Sequence, residues 1–276
     1  MIDDVRLVLC DIDGTLVTTG RELTPKTKEV INRLHANGIY FGLASGRSID
    51  QQLMTFSKDW GFDYQFEILI GMNGSELWDD LNQKRYDFYK LSRGAIKEIV
   101  ELMEPFDLNP FLYHDGKMLC KRLDQLTRQS SKKNHSGVIV AKDISELYAH
   151  ENAKIMYRVP EEKMPEIEAY VNEHPSPNFR GFKTQTTMLE FTDRRVSKDV
   201  ALKKFCEEND VSLEQVISFG DISNDNEMLE CSGWGVCLLN GADDTKAIAD
   251  DITEKTNDED GFAHYIEKHF LEPRGW

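Results

Sequence analysis

Short, nearly continuous apolar runs alternate with amphipathic stretches along the first seventy residues. The run at 5–10 (VRLVLC) lacks the strict alternation of a half-exposed strand and predicts one covered on both faces. Thr24 and Pro25 then offer an N-cap and a first-turn proline. Val30, Ile31 and Leu34 supply an apolar stripe and Gly38 a stop, which together predict a helix. A second strand at 40–44 (YFGLA), a further helical stretch after residue 47 and a third strand at 67–70 (EILI) follow. This alternation predicts an open parallel sheet with crossover helices.

The pattern breaks after about Asn82. Residues 92–104 carry Ile96, Ile99, Val100 and Met103 at helical spacing. The runs at 111–114 and 117–120 flank Asp115-Gly116, a two-residue hairpin signal. A polar loop is expected around 129–135, then a strand at 154–159, a helix within 161–172, and strands near 179–183 and 187–192. Adjacent strands backed by helices make a separate α+β layer, and roughly 110 residues is too long for a loop. The alternation resumes with a helix capped by Ser197, strands at 216–219 and 234–238, and a last helix near 261–270. The expected fold class is therefore α/β, a Rossmann-like parallel sheet with helices on both faces. Residues 1–83 and 192–276 form this core, and 84–191 form an inserted α+β cap.

Composition narrows the function. Lys and Arg number 33 against 49 Asp and Glu, a formal net charge of −16, which disfavours nucleic acid and anionic membrane as partners. No stretch approaches the roughly 20 apolar residues of a membrane span, and the first residues lack a secretion-signal pattern. Five cysteines, an odd number with no CxxC pair, argue against a disulfide framework or zinc site and for a reducing cytoplasm.

Four separated segments fall at the carboxyl end of an expected core strand or the start of the next helix. They are Asp11/Asp13/Thr15, Ser45/Gly46/Arg47, Lys198, and Asp221 with Asn224/Asp225. Ligands of open parallel sheets bind at that edge. Singly, each has a structural reading: DxDG as a tight turn, Ser45 as a helix cap, Lys198 as a solvated helix residue, Asn224 as an N-cap. Together they suit phosphoryl transfer. Asp11 offers a carboxylate nucleophile, and Asp13 can protonate the leaving oxygen and then take a proton from water. A divalent ion, Mg²⁺, with Asp221 as a further ligand, reconciles clustered carboxylates with an anionic substrate. Lys198 near a helix N-terminus stabilises phosphoryl oxygens, and Ser45 and Gly46 add neutral donors.

DIDGT (Asp11–Thr15), ASGR (Ala44–Arg47), VSK (Val196–Lys198) and GDISND (Gly220–Asp225) resemble, in order, the four motifs of the haloacid dehalogenase superfamily. The likeness is to its Cof-type phosphatases of subclass IIB, and Asn73-Gly74 and Asp260-Gly261 echo them too. The resemblance implies Asp11 as nucleophile and Asp13 as general acid/base. It implies Mg²⁺ on the Asp11 carboxylate, the Asp13 backbone carbonyl and Asp221, supported by Asp225. It also implies phosphate contacts from the Ile12 backbone, Ser45, Gly46, Lys198 and Asn224. Two departures stand out: Asp199 and Gly241 replace the usual Gly and Ala.

An inserted cap would exclude water and contact the leaving group, with Arg47, Arg128, Lys132, His135 and Arg180 as candidates. A calcium loop from Asp11 to Glu22 fails, because Leu16 stands where glycine is needed and a strand precedes it. The expected enzyme is a Mg²⁺-dependent phosphatase of a small phosphorylated metabolite. A phosphomutase on the same fold, or a non-catalytic phosphosugar sensor, are the alternatives.

Overall fold

The apolar run after Val5 forms β1 (Leu7–Asp11), with all five residues buried. In α1 (Pro25–Ala36) the Thr24 hydroxyl accepts from the Thr27 amide at 3.0 Å, and Val30, Ile31 and Leu34 face the core. β2 (Tyr40–Ala44), α2 (Met54–Asp59) and β3 (Ile68–Gly71) follow; β2 runs parallel to both β1 and β3. An antiparallel hairpin, β4 (Glu76–Asp79) and β5 (Lys84–Asp87), extends that side of the sheet. The computed structural model describes residues 4–133 and 137–276.

The chain divides into two compact units, Met1–Phe88 with Ser197–Trp276, and Tyr89–Val196. The expected seams, 83/84 and 191/192, each fall about five residues early. Lys84–Asp87 pairs with β4 and stays with the first unit; its charged residues, on the sheet's edge, gave no apolar signal. The returning strand of the insertion runs on to Asp193.

The inserted unit comprises α3 (Arg93–Leu102), β6 (Pro110–His114), β7 (Lys117–Cys120), α4 (Gln125–Lys133), β8 (Val138–Val140), β9 (Lys154–Arg158), α5 (Met164–Glu173), β10 (Phe179–Gln185) and β11 (Met188–Asp193). Its six-stranded sheet has the order β10-β11-β9-β6-β7-β8. Ile96 and Ile99 of α3 and Ile167 of α5 share one core with Tyr157 and Phe191 of the sheet. Asp115 and Gly116 make the expected turn, both with positive φ. The polar loop expected around 129–135 is, through Lys133, the end of α4. Asp124 caps that helix, accepting from the Thr127 amide at 2.7 Å. Leu126 stays exposed, so α4 lacks the apolar stripe that betrays a helix in sequence.

Back in the first unit come α6 (Lys198–Glu208), β12 (Val216–Gly220), α7 (Asn226–Cys231), β13 (Trp234–Cys237), α8 (Asp243–Ile248), β14 (Asp251–Ile252) and α9 (Gly261–Ile266). The sheet order is β14-β13-β12-β1-β2-β3-β4-β5, parallel from β14 through β3. Helices α1 and α9 cover one face and α6 and α7 the other, each with its own apolar cluster. Phe41 anchors the first, edge-on to Phe66 at 5.1 Å and to Phe262 at 6.0 Å. Phe41→Ala should cost about 3–5 kcal/mol of unfolding free energy, measurable by urea denaturation.

Candidate active site

From β1 the chain moves to β2 and β3 on one side, while β12, β13 and β14 extend the other. Such a reversal opens a crevice at the carboxyl ends of the two strands beside it. Asp11 closes β1 and Asp221 follows β12. With Asp225, they bring three buried carboxylates within 4.8 Å of one another.

Lys198, the first residue of α6, is completely buried. Its ammonium donates to Asp11 Oδ1 at 2.6 Å and to Asp225 Oδ1 at 2.5 Å. Asp225 Oδ2 accepts from the Asp221 and Ile222 amides at 3.0 and 3.4 Å, so both its oxygens are committed. Thr15 donates to Asp221 Oδ1 at 2.9 Å. Gly14, at φ +91°, lies so close that an added Cβ would stand 2.3 Å from Asp221 Oδ2. No side chain fits there.

One ammonium among three carboxylates leaves a formal excess of two negative charges in a low-dielectric site. Burial, reinforced by Asp225 and Asp221, pushes the Asp11 carboxyl well above the usual range despite Lys198. Burial and the Asp225 charge push Asp221 up to about 7. Burial alone would depress Lys198, but the charges of Asp11 and Asp225 outweigh it and raise the ammonium above its ordinary value. An all-oxygen donor set with this charge surplus fits a hard divalent cation. Asp225 is already spent, so Asp11 and Asp221 are the carboxylates left to bind one.

Not every expected residue joins this cluster. The Asp13 carboxylate, 44% exposed, is gripped by Arg47, whose Nη2 lies 2.6 Å from both of its oxygens and whose Nε lies 3.1 Å from Oδ2. Arg21 stands 3.8 Å away on the solvent side. Alternation along an extended strand would have turned Asp13 toward the cleft beside Asp11. After β1 the chain turns instead, the Ile12 carbonyl accepting from the Leu16 and Val17 amides, both at 3.1 Å. Arg47, expected on substrate, is thus paired with Asp13 and lies over the Phe56 ring at 5.3 Å.

Ser45 is buried; its Oγ accepts from the Arg47 amide at 3.3 Å and its amide donates to the Ile70 carbonyl at 2.8 Å. Asn224 Nδ2 donates to Asn73 Oδ1 at 3.2 Å. Asp199 sits in the first turn of α6, accepting from the Ser197 hydroxyl and pairing with Lys203 at 2.6 Å. Its charge is thereby offset locally and suits a helix N-terminus. Arg128 and Lys132 lie exposed on α4, and Arg180 lies on β10 over Phe182. His135 falls outside the described residues.

Composition and motifs did not reveal what tethers the loop carrying Asp13 and Thr15. Asn240 donates to the Gly14 carbonyl at 2.8 Å and Asn257 to the Val17 carbonyl at 2.9 Å. Asp258 accepts from both the amide and hydroxyl of Thr19 at 2.7 Å, and Asp260 accepts from the Thr24 hydroxyl. The cluster of Asn and Asp at 257–260 was the available signal.

The charged side chains thus gather where the strand order of the parallel sheet reverses, the edge at which ligands of such sheets bind. A family model described as haloacid dehalogenase-like hydrolase matches residues 8–266. The chain belongs to that family and is a phosphatase within it. It is 27% identical over 281 residues to the 5-amino-6-(5-phospho-D-ribitylamino)uracil phosphatase YitU of Bacillus subtilis (strain 168), covering 96% of this chain and 97% of that protein. To YcsE of the same organism, which carries the same phosphatase name, it is 28% identical over 272 residues, covering 97% and 96%. Two solved structures share the fold. A haloacid dehalogenase-like hydrolase from Bacteroides thetaiotaomicron superposes with a TM-score of 0.77 at 24% identity, covering 96% of this chain and 100% of that one. The subclass IIB sugar phosphatase BT4131 gives 0.79 at 20% identity, covering 95% and 98%.

The raised carboxyls set a pH dependence. Between the ordinary carboxylate range and about pH 7 the folded, metal-free protein binds more protons at Asp221 than the unfolded chain does. Stability from this group is therefore lost as pH rises through that window. In EDTA, the melting temperature should fall between pH 5 and 7.5, and Asp221→Asn should flatten the decline, as followed by circular dichroism.

Proposed function

We propose that this phosphatase is Mg²⁺-dependent and hydrolyses a small phosphorylated metabolite through a phospho-Asp11 intermediate. The observation that carries the reading is the fully buried Lys198 ammonium on Asp11 Oδ1, within a cluster whose carboxylates outnumber it. Asp11, the Asp13 backbone carbonyl and Asp221 would hold Mg²⁺, with Asp225 as support. Bound there, the ion would offset carboxylate repulsion and draw electron density from the phosphoryl oxygens.

An Asp11 carboxylate oxygen attacks phosphorus while the ester P–O bond breaks. The leaving oxygen takes the proton of the Asp13 carboxyl. Arg47 holds both Asp13 oxygens, so a phosphoryl group competing for the guanidinium releases Asp13 to take up a proton from solvent before this transfer. Asp13 then accepts a proton from water as the water oxygen attacks phosphorus. The bond to Asp11 breaks, and inorganic phosphate departs. Lys198, the Ile12 backbone, Ser45, Gly46 and Asn224 donate to the phosphoryl oxygens throughout.

The names of the Bacillus subtilis relatives and of BT4131 support a polyhydroxylated phosphomonoester as substrate. Among the described residues no helix is long and apolar enough to cross a membrane, and the five unpaired cysteines suit a reducing cytoplasm.

Turnover of p-nitrophenyl phosphate should require Mg²⁺, stop in EDTA and vanish in Asp11→Asn. Activity surviving both treatments overturns the reading. Asp13→Asn should slow turnover of a poor leaving group by about 10²–10⁴-fold, the usual span of acid–base catalysis. Phosphorus NMR on a sugar monophosphate should show free phosphate accumulating, whereas isomer interconversion without it would indicate a mutase.

A further inference from the structure

The backbone just past β3 adopts a conformation that side chains resist. Met72, Asn73 and Gly74 have φ of +48°, +59° and +104° in succession. Two non-glycine residues in the left-handed region at one buried corner are costly and persist only where surrounding contacts enforce them. Asn73 is 1% exposed.

The contacts that enforce it come from the motif segments. The Asn73 amide donates to the Ser45 carbonyl at 3.0 Å. The Asn73 side chain lies against Gly46, where an added Cβ would stand 3.0 Å from Asn73 Oδ1. The same Oδ1 accepts from Asn224 Nδ2 at 3.2 Å. One residue on, Gly74 packs so closely on the turn before α6 that an added Cβ would lie 1.9 Å from the Ser197 carbonyl oxygen. Ser197 immediately precedes Lys198. The corner thus touches three of the four segments in the candidate site, and supplies none of the residues assigned to chemistry.

Resting on the phosphatase reading above, we infer that Asn73 is a positioning residue. It sets the Asn224 amide and the Ser45–Gly46 backbone in the arrangement that receives the phosphoryl oxygens. The mechanism is geometric. Accepting one Asn224 N–H fixes the side-chain rotation and leaves the second N–H of the same nitrogen for an anion. Packing against Gly46 fixes the turn that presents the neighbouring donors. A hydrogen bond made to a preorganised donor set is worth more to a charged group than one the ligand must assemble.

Asn73→Gly separates the side chain from the backbone, since glycine adopts this φ more readily than asparagine. In the full-length enzyme with Mg²⁺, the variant should melt within a few degrees of the wild type. Its kcat/KM for p-nitrophenyl phosphate should fall about ten- to hundredfold, the scale of a small misplacement of binding groups. Inhibition by inorganic phosphate should weaken in parallel. The double variant Asn73→Gly/Asn224→Ala should lose less than the product of the two single losses, because the Asn73–Asn224 arrangement is removed by either change. Wild-type kcat/KM and phosphate inhibition in Asn73→Gly, or losses that multiply in the double variant, would overturn the inference. Should the glycine variant be insoluble, Asn73→Asp keeps the shape and the acceptor but sets a carboxylate beside the phosphate donors. It should raise both KM and the phosphate inhibition constant about tenfold or more, and unchanged constants would refute the placement. Absence of turnover in the wild type, by contrast, would defeat the phosphatase reading itself.

Discussion

A single ammonium, sealed from water, holds this site together. Lys198 bridges Asp11 at the end of β1 and Asp225 at the start of α7. Those segments are separated by more than two hundred residues of chain and brought together by the pairing of β1 with β12. Burying an ion of either sign is expensive, and a pair repays the cost only when its geometry and remaining hydrogen bonds are good. Here the remaining bonds are made: Asp225 takes two backbone amides and Asp221 takes the Thr15 hydroxyl. The cluster still carries more negative charge than the lysine balances. That excess of carboxylate is compatible with a divalent cation.

The surrounding fold is arranged to keep those charges close without allowing collapse. Gly14 lets the loop after β1 pass against Asp221, where any side chain would collide. The strand ends bring Asp11 and Asp221 to one crevice because β12 lies beside β1 in the sheet. Asp13 is handled differently. Paired with Arg47 at the solvent edge, it is withheld from the buried cluster, so a fourth carboxylate does not add to the repulsion.

Much of this was legible in the amino-acid order. A strand covered on both faces shows as a nearly continuous apolar run, as at residues 5–10 and 216–219. Acidic residues directly after such a strand are conspicuous because their desolvation demands a partner. Lys198 and Asp11 could be proposed as members of one site because their segments fall at the same edge of the expected parallel sheet. What stayed hidden depends on quantities that spacing does not encode. The β4–β5 hairpin is an edge element of largely charged residues, and the residues α4 buries, Thr127 and Ser130, are polar, so neither announces an apolar period. The partnership of Asp13 and Arg47 follows from a turn at Ile12 that side-chain alternation ignores. Asn73 was visible as Asn-Gly after a strand, but its significance lies in a backbone angle and in three neighbours brought to it from elsewhere in the chain.

The polar latch between residues 240–260 and the loop after β1 bears on when the molecule becomes competent. Asn240, Asn257, Asp258 and Asp260 hold the carbonyls, amides and hydroxyls of residues 14–24. A nascent chain that has emerged only as far as Asp225 contains every motif segment, yet it lacks β13 and the side chains that fasten that loop. Synthesis from the N-terminus therefore delivers Asp11 more than two hundred residues before the side chains that fasten the loop after it.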